Sequence, residues 1–217
     1  MDIGIIGGTG PAGRGLGLRL AAAGMSVAIG SRDPARAAGV VDELVARWGA
    51  RLEGSLRGVG NDEAAGAKLV VLATPWDAAV RTVSELADRL EGKVLVSMAN
   101  ALVRDGREMV PLFHPRGSVA AAVQAAARGA KVSAAFHHLP AREMADLDSG
   151  LVADVLVCAD DPEATAETMS LVERIEGLRP LDAGSLGQAA AVEAFTAVCI
   201  TLNIRYRAHS TLKLAGI

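Results

Sequence analysis

Apolar and polar positions along this chain alternate between short apolar runs and stretches of helical periodicity. Ile3, Ile5 and Ile6 form a β-rich run that ends in the glycine-rich "GGTGPAGRG". Leu16, Leu20 and Ala23 then recur at helical spacing, and Gly24 closes that segment as a helix-ending glycine. "MSVAIG" reads as a second strand. "DPARAAGVVDELVARWG" reads as a second helix, with Asp33 as its N-cap, Pro34 at the first helical position and Gly49 after its end. The alternation continues through a short helix in "NDEAAGA", a buried strand "KLVVLA", an amphipathic helix "DAAVRTVSELADRL" and a strand "KVLVSMAN". Proline and glycine in "REMVPLFHPRG" predict a loop around 101–117. Beyond it, "SVAAAVQAAARG" reads as a helix, "KVSAAFHHLP" and "DVLVCADD" as strands, and "PEATAETMSLVERIEG" as a helix opened by Pro162. The chain is mostly helical from Leu186 onward.

Strand, glycine turn, helix, strand is a βαβ unit, and its repetition implies parallel strands covered by helices. The predicted fold class is therefore α/β: a Rossmann-type, doubly wound, mostly parallel sheet with a smaller C-terminal α/β portion packed on it. Residues 1–140 are expected to form the dinucleotide-binding domain. Residues 141–217 are expected to form the smaller substrate-side portion, ending in helices.

The chain has 217 residues, 51% hydrophobic and 22% charged, a globular composition. A net charge of −3 and 3% aromatics give no support for a nucleic-acid-binding surface, which needs a basic excess or stacking platforms. Cys158 and Cys199 make no disulfide framework and no metal-spaced pair, as expected of free thiols in a reducing cytoplasm. The N-terminus has no basic segment ahead of its glycine loop and does not read as a signal peptide. The apolar run "AAAVEAFTAVCITLNI" is interrupted by Glu193 and Asn203 and reads as too short and too polar for a membrane span.

Gly8, Gly10 and Gly13 make G-x-G-x-x-G between a strand and a helix. In that context Gly8 permits the tight turn, Gly10 lets the backbone approach a pyrophosphate, and Gly13 lets helix and strand pack closely. The helix N-terminus adds free N–H groups and the positive end of its dipole. Pro11 presets the first helical turn but removes one donor, while Thr9 and Ala12 keep theirs and Thr9 adds a hydroxyl. A glycine-rich turn with no ligand is the plain alternative.

An NAD site carries an acid at the end of the second strand, bonded to the ribose 2′-hydroxyl. Here that strand ends in Ser31 and Arg32, with Arg36 one helical turn on. An acid would repel a 2′-phosphate. Arg32 can grip one through its planar fork, Ser31 can donate to it, and Arg36 can stack on adenine or add charge. The pattern favours NADP(H) over NAD(H).

No acid–base pair stands out. Tyr206 is the one tyrosine and has no lysine four residues beyond it. His114, His137, His138 and His209 show no metal spacing. His137 and His138 fall near the end of a predicted strand, where period-2 geometry sends them to opposite faces. Either one is a core or loop histidine with the other exposed, or one faces a ligand at the carboxyl edge of the sheet. A nicotinamide enzyme without a strong general acid points to a substrate whose own chemistry handles the proton.

Almost the whole chain resembles the NADPH-dependent coenzyme F420 reductases. The resemblance runs through "GIIGGTGPAGRGLGLRLAAAGMSVAIGSRDPARA", "VVLATPWDAAV", "KVSAAFHHLPA" with the later "ADLD", "VLVCADD" and "IEGLRPLDAGSLGQAAAVE". It implies hydride transfer between NADPH and C5 of a deazaflavin, with F420 as small-molecule partner. The chain reads as a cytoplasmic enzyme with no nucleic acid or membrane partner; a homodimer is the candidate assembly, with the oligomeric state left open by the sequence. It also implies NADP contacts from Thr9, Gly10, Pro11 and Ala12, from Ser31, Arg32 and Arg36, from Thr74 and Ala78 at the "TPW" turn, and from Asn100 and Ala141. By the same resemblance His137 lies beside the deazaflavin and Leu212 at its ring. Arg104, Arg107, Arg116, Arg205 and Arg207 are candidates to attract the anionic F420 tail or are solvated surface charges. The rival readings are an NADPH-dependent reductase of another acceptor (metal, flavin, imine or quinone) and a non-enzymatic NADP-sensing domain.

Overall fold

A computed structural model describes residues 2–217. In chain order its elements are β1 (Ile3–Ile6), α1 (Pro11–Ala22), β2 (Ser26–Ser31), α2 (Pro34–Trp48), β3 (Ser55–Gly60), α3 (Asn61–Ala64) and β4 (Leu69–Leu72). Next come α4 (Trp76–Glu85), α5 (Ala87–Leu90), β5 (Val94–Ser97), β6 (Leu102–Asp105), β7 (Glu108–Pro111) and α6 (Val119–Ala126). The chain closes with β8 (Lys131–Ala134), α7 (Ala141–Met144), β9 (Ala153–Ala159), α8 (Pro162–Glu173), β10 (Leu178–Asp182) and α9 (Ala189–Tyr206).

Eight strands form one sheet in the order β10-β9-β8-β5-β4-β1-β2-β3. The six from β3 to β8 are mutually parallel and follow the doubly wound order 3-2-1-4-5-6. β9 runs antiparallel to β8, and β10 is parallel to β9. The N-terminal ends of β9 and β10 therefore lie at the same edge as the C-terminal ends of the six parallel strands, the edge where open α/β sheets bind ligands.

The central strands are apolar on both faces, as a sheet covered on both sides requires. Ile5, Val71 and Val96 face a core shared with Leu16 and Leu20 of α1 and Leu171 of α8. Ile6, Val70, Leu72 and Leu95 point to the other core, with Val83 of α4 and Val123 of α6. Asp33, Ser118 and Asp161 cap α2, α6 and α8 by accepting backbone N–H bonds.

Five details differ from the sequence pattern. One is the C-terminus, where the expected helical ending stops at Tyr206 and residues 208–217 carry no helix or strand. β3 has no strong apolar signal because it is an edge strand with Gly58 and Gly60. A Cβ on Gly58 would lie 2.3 Å from Ala38 N, so glycine lets α2 close onto the strand. The predicted loop around 101–117 contains the β6–β7 hairpin, turned by Gly106 at φ 55° and Arg107. Glycine at the first of two loop positions suits such a turn.

The predicted strand through His137 and His138 stops at Ala134, because Phe136 adopts a left-handed φ of 64°. Period-2 logic fails beyond that point, and both histidines are buried rather than one buried and one exposed. Finally, α9 with its preceding turn, Leu186–Tyr206, is 21 residues and by length and composition is long and apolar enough to cross a membrane, contrary to its reading as too short and too polar.

Polar side chains tie that helix into the fold. Glu193 accepts from Val119 N and Ala120 N at the start of α6 (2.9 and 3.0 Å), and Thr201 accepts from Met109 N (2.9 Å). Asn203 accepts from Ser210 N and Oγ. Phe195, Val198, Leu202 and Tyr206 leave an exposed apolar stripe on its outer face.

Candidate active site

The carboxyl ends of β1, β2, β4 and β5 converge on a cavity of about 460 Å³. Ten residues singled out from the sequence line it: Thr9, Gly10, Pro11, Ala12, Ser31, Arg32, Arg36, Thr74, Ala78 and Asn100. Gly8 and Gly13 stand behind the lining. Gly8 N donates to Ile5 O and Gly30 O, closing the turn. A Cβ on Gly13 would lie 2.6 Å from the Gly8 Cα, backbone against backbone. Gly13→Ala is therefore expected to push α1 off the turn, cost about 1–3 kcal/mol by overpacking, and weaken cofactor binding. Thermal unfolding and NADPH titration of the variant measure the two effects.

Gly10 differs from these. Its φ of −71° needs no glycine, and a Cβ there would meet nothing within 4 Å. The demand for a bare backbone comes from outside the protein, which fits a pyrophosphate lying against the turn. No side chain caps α1, and its first turn carries no acid. Its N-terminal turn, Gly10 to Ala12, lines the cavity with no side chain bonded to its amides, as an anion site needs. Gly7, at φ 69°, donates its N–H to Asn61 Oδ1 (3.0 Å).

At the far end, Asp33 Oδ1 accepts from Ala35 N and Arg36 N, which occupies that acid as a helix cap. Ser31 Oγ accepts from Asp33 N (3.1 Å), so its own O–H stays available to donate. Arg32 and Arg36 are exposed and make no ion pair among the described residues. This end of the cavity is cationic with donors to spare and fits a 2′-phosphate.

The inner end carries buried polar atoms without partners: Thr74 Oγ1 and Asn100 Oδ1. Such atoms call for a ligand or water. Asn100 Nδ2 donates to the His137 carbonyl (3.1 Å), which ties the cavity to the histidine turn. The His137 ring is fully enclosed beside Met98, with no hydrogen-bond partner of good geometry on either nitrogen. Burial, helped by neighbouring His138, pushes its pKa down to about 3, so the ring is neutral at physiological pH. His138 is shifted down too, chiefly by burial, and its Nε2 donates to the Asp154 carbonyl (2.7 Å).

His137, Ala141 and Leu212 do not line the cavity itself. Ala141 opens α7, which is clamped to α1. Arg19 bonds the carbonyls of Glu143, Met144, Asp146 and Ser149, and a Cβ on Gly15 would sit 2.8 Å from Met144 Cβ. Leu212 lies in the tail beyond α9, where its carbonyl accepts from Asp154 N (2.8 Å).

Sequence reasoning missed Asn61, Trp76 and Met98 in the lining. Asn61 follows the edge strand that had no apolar signal. Trp76 and Met98 each sit two residues from a predicted contact, Thr74 or Ala78 and Asn100, and that adjacency was the signal available.

The sheet order, the uncapped helix at the glycine turn and the cationic strand end define a Rossmann-type fold of the dinucleotide-binding class. The family described as "NADP oxidoreductase coenzyme F420-dependent" matches residues 2–101. The F420-dependent NADP reductase of Methanocaldococcus jannaschii is 36% identical over 97% of this chain and 96% of its own length. That of Methanothermobacter thermautotrophicus is 33% identical over 97% of this chain and 92% of its own. The crystal structure of an Arthrobacter sp. FB24 protein, provisionally named an F420-dependent NADP reductase, superposes with a TM-score of 0.79 at 27% identity and covers 99% of both chains. The chain belongs to the F420-dependent NADP reductase family.

Proposed function

We propose that this protein passes hydride between NADP(H) and C5 of the deazaflavin coenzyme F420, in the cytoplasm. The observation that carries this reading is the cavity at the carboxyl edge. It joins an uncapped helix N-terminus, a glycine with no structural reason to be glycine and two free arginines in a chain of this family. Bound NADP(H) supplies the hydride chemistry, and the deazaflavin accepts or gives it at C5.

The protein's own part is positioning. The α1 amides hold the pyrophosphate, Ser31 and Arg32 the 2′-phosphate, and Arg36 the adenine side. Thr74, Ala78 and Asn100 flank the inner end, with Ala141 completing the cofactor side. His137 and Leu212 face the acceptor. His137 stays neutral at working pH and packs or hydrogen-bonds without supplying a proton. In this division residues 1–140 carry the nucleotide and 141–217 the smaller substrate-side portion, with His137 and Ala141 at the junction, each serving the neighbouring side. Arg104, Arg107 and Arg207 lie exposed on the hairpin and at the end of α9, where they can draw in an anionic tail, while Arg205 beside them is paired with Glu108. The apolar stripe of α9 supports a homodimer.

Mixing the purified protein with NADPH and F420 should consume both in equal amounts. NADPH binding without loss of F420 absorbance would reject the reading. His137→Ala is expected to lower turnover with F420 and leave NADPH affinity nearly unchanged. Unaltered turnover would reduce His137 to a packing residue.

A further inference from the structure

Beyond Arg207 the chain has no regular secondary structure, yet it is held firmly along the first residues of β9. The node is Asp154, whose side chain is 0% exposed. Its Oδ1 accepts from Arg179 Nε (2.8 Å) and Lys213 Nζ (2.7 Å). Its Oδ2 accepts from Arg179 Nη2 (2.7 Å) and Leu214 N (2.6 Å). Its backbone N–H donates to Leu212 O, and its carbonyl accepts from His138 Nε2. Arg179 extends the clamp to the Leu214 and Ile217 carbonyls (2.9 and 2.6 Å). Glu143 of α7 adds a second tie through His209 at 3.3 Å.

Burying a carboxylate, even against partly exposed cations, is seldom the most stabilising way to fill a core. Apolar residues of similar volume often do as well or better, and the attested use of buried charge is to fix a register. Here the charge fixes the register of a segment with no helix or strand to do so. A continuous path of bonds runs from the cofactor cavity to that segment: Asn100 to His137, His138 to Asp154, Asp154 to Leu212.

We infer that Asp154 is a positioning residue for the acceptor side of the site. It docks residues 211–214 against the His137–His138 turn and so builds the wall that a planar aromatic acceptor meets. This role rests on the proposed F420 reduction. It assigns to the tail a duty in acceptor binding and none in NADP(H) binding.

The test compares Asp154→Asn and Lys213→Met with the wild-type protein. Lys213 is half exposed, so its substitution leaves the Asp154–Arg179 pair intact and threatens no core. For Asp154→Asn the expected result is a KM for F420 raised at least ten-fold, with NADPH affinity within two-fold of wild type. Amide exchange of the 208–217 peptide should be at least ten-fold faster. Lys213→Met should move the same quantities in the same direction by less, and it decides the matter if Asp154→Asn does not fold.

A wild-type KM for F420 in the folded variants would overturn the role, as would an equal loss of NADPH affinity, which marks general disruption. Absence of F420 turnover in the wild-type protein would instead overturn the proposed function itself, a distinct outcome.

Discussion

Arg32→Ala is expected to weaken NADPH binding by about 1.5–3 kcal/mol, the worth of hydrogen bonds to a charged group, and to leave NADH binding nearly unchanged. That corresponds to a loss of roughly 10- to 150-fold for NADPH alone. The reason is local. Arg32 is exposed and free of ion pairs, so its removal leaves no orphaned partner and no cavity. The acid that would serve a ribose hydroxyl in an NAD site is absent, and nearby Asp33 is committed to capping α2. Ser31, the other group assigned to the 2′-phosphate, is unchanged in the variant. Titration of the variant with both cofactors measures the effect. Equal losses for the two would remove Arg32 from the 2′-phosphate.

Stability is expected to fall as pH drops below 6.5, before any carboxylate cluster titrates. His137 has an ordinary value of 6.5 and a folded value of about 3, set first by burial. The folded state therefore holds the ring neutral while the unfolded chain takes up a proton. Stability is fully present above 6.5 and declines below it by about 1.4 kcal/mol per pH unit for this group. By pH 5.0 the loss is roughly 2 kcal/mol, or about 4–8 °C in Tm for a chain of this size.

His138 shifts in the same direction, also through burial, and adds to the loss. Glu193 works oppositely. Burial between α6 and α9 raises its folded value, so protonation relieves it as pH falls. Asp154 enters later. Its ion pairs hold it well below the usual 3.8, so its contribution persists above 3.8 and is lost only as pH falls beneath that. Urea unfolding at pH 7.5 and 5.0 tests the account, and His137→Leu should flatten the difference. A pH-independent midpoint in the native protein would contradict a neutral buried His137.

Much of this architecture is legible in the sequence because each parallel strand is an apolar run and each helix has local stop and start signals. Gly24, Asp33–Pro34 and Pro162 act through their own backbone neighbours, so a linear reading finds them. The cofactor turn is legible for the same reason: Gly8, Gly10 and Gly13 sit within one strand–helix junction, and Ser31 and Arg32 within the next.

The rest depends on contacts made far along the chain. β3 is a strand because α2 packs on Gly58 and β2 pairs with it. The 131–140 strand ends early because Phe136 is buried in a left-handed turn that no local pattern announces. The acceptor side is the least legible part, since the tail has no periodicity and owes its place to Asp154, 59 residues before Lys213. Of its candidates, Leu212 rests on the resemblance alone, whereas the residues themselves offer His137 or His138 and the resemblance selects His137.

The most direct test of direct hydride transfer follows an isotope through a single turnover. NADPH labelled with deuterium at either face of nicotinamide C4 is mixed with protein and F420 in ordinary water, and the reduced coenzyme is examined by mass spectrometry. One of the two labelled forms is predicted to deliver its deuterium to C5 of F420, with no incorporation when unlabelled NADPH reacts in heavy water. Solvent deuterium at C5, or F420 left oxidised while NADPH binds, would contradict the account.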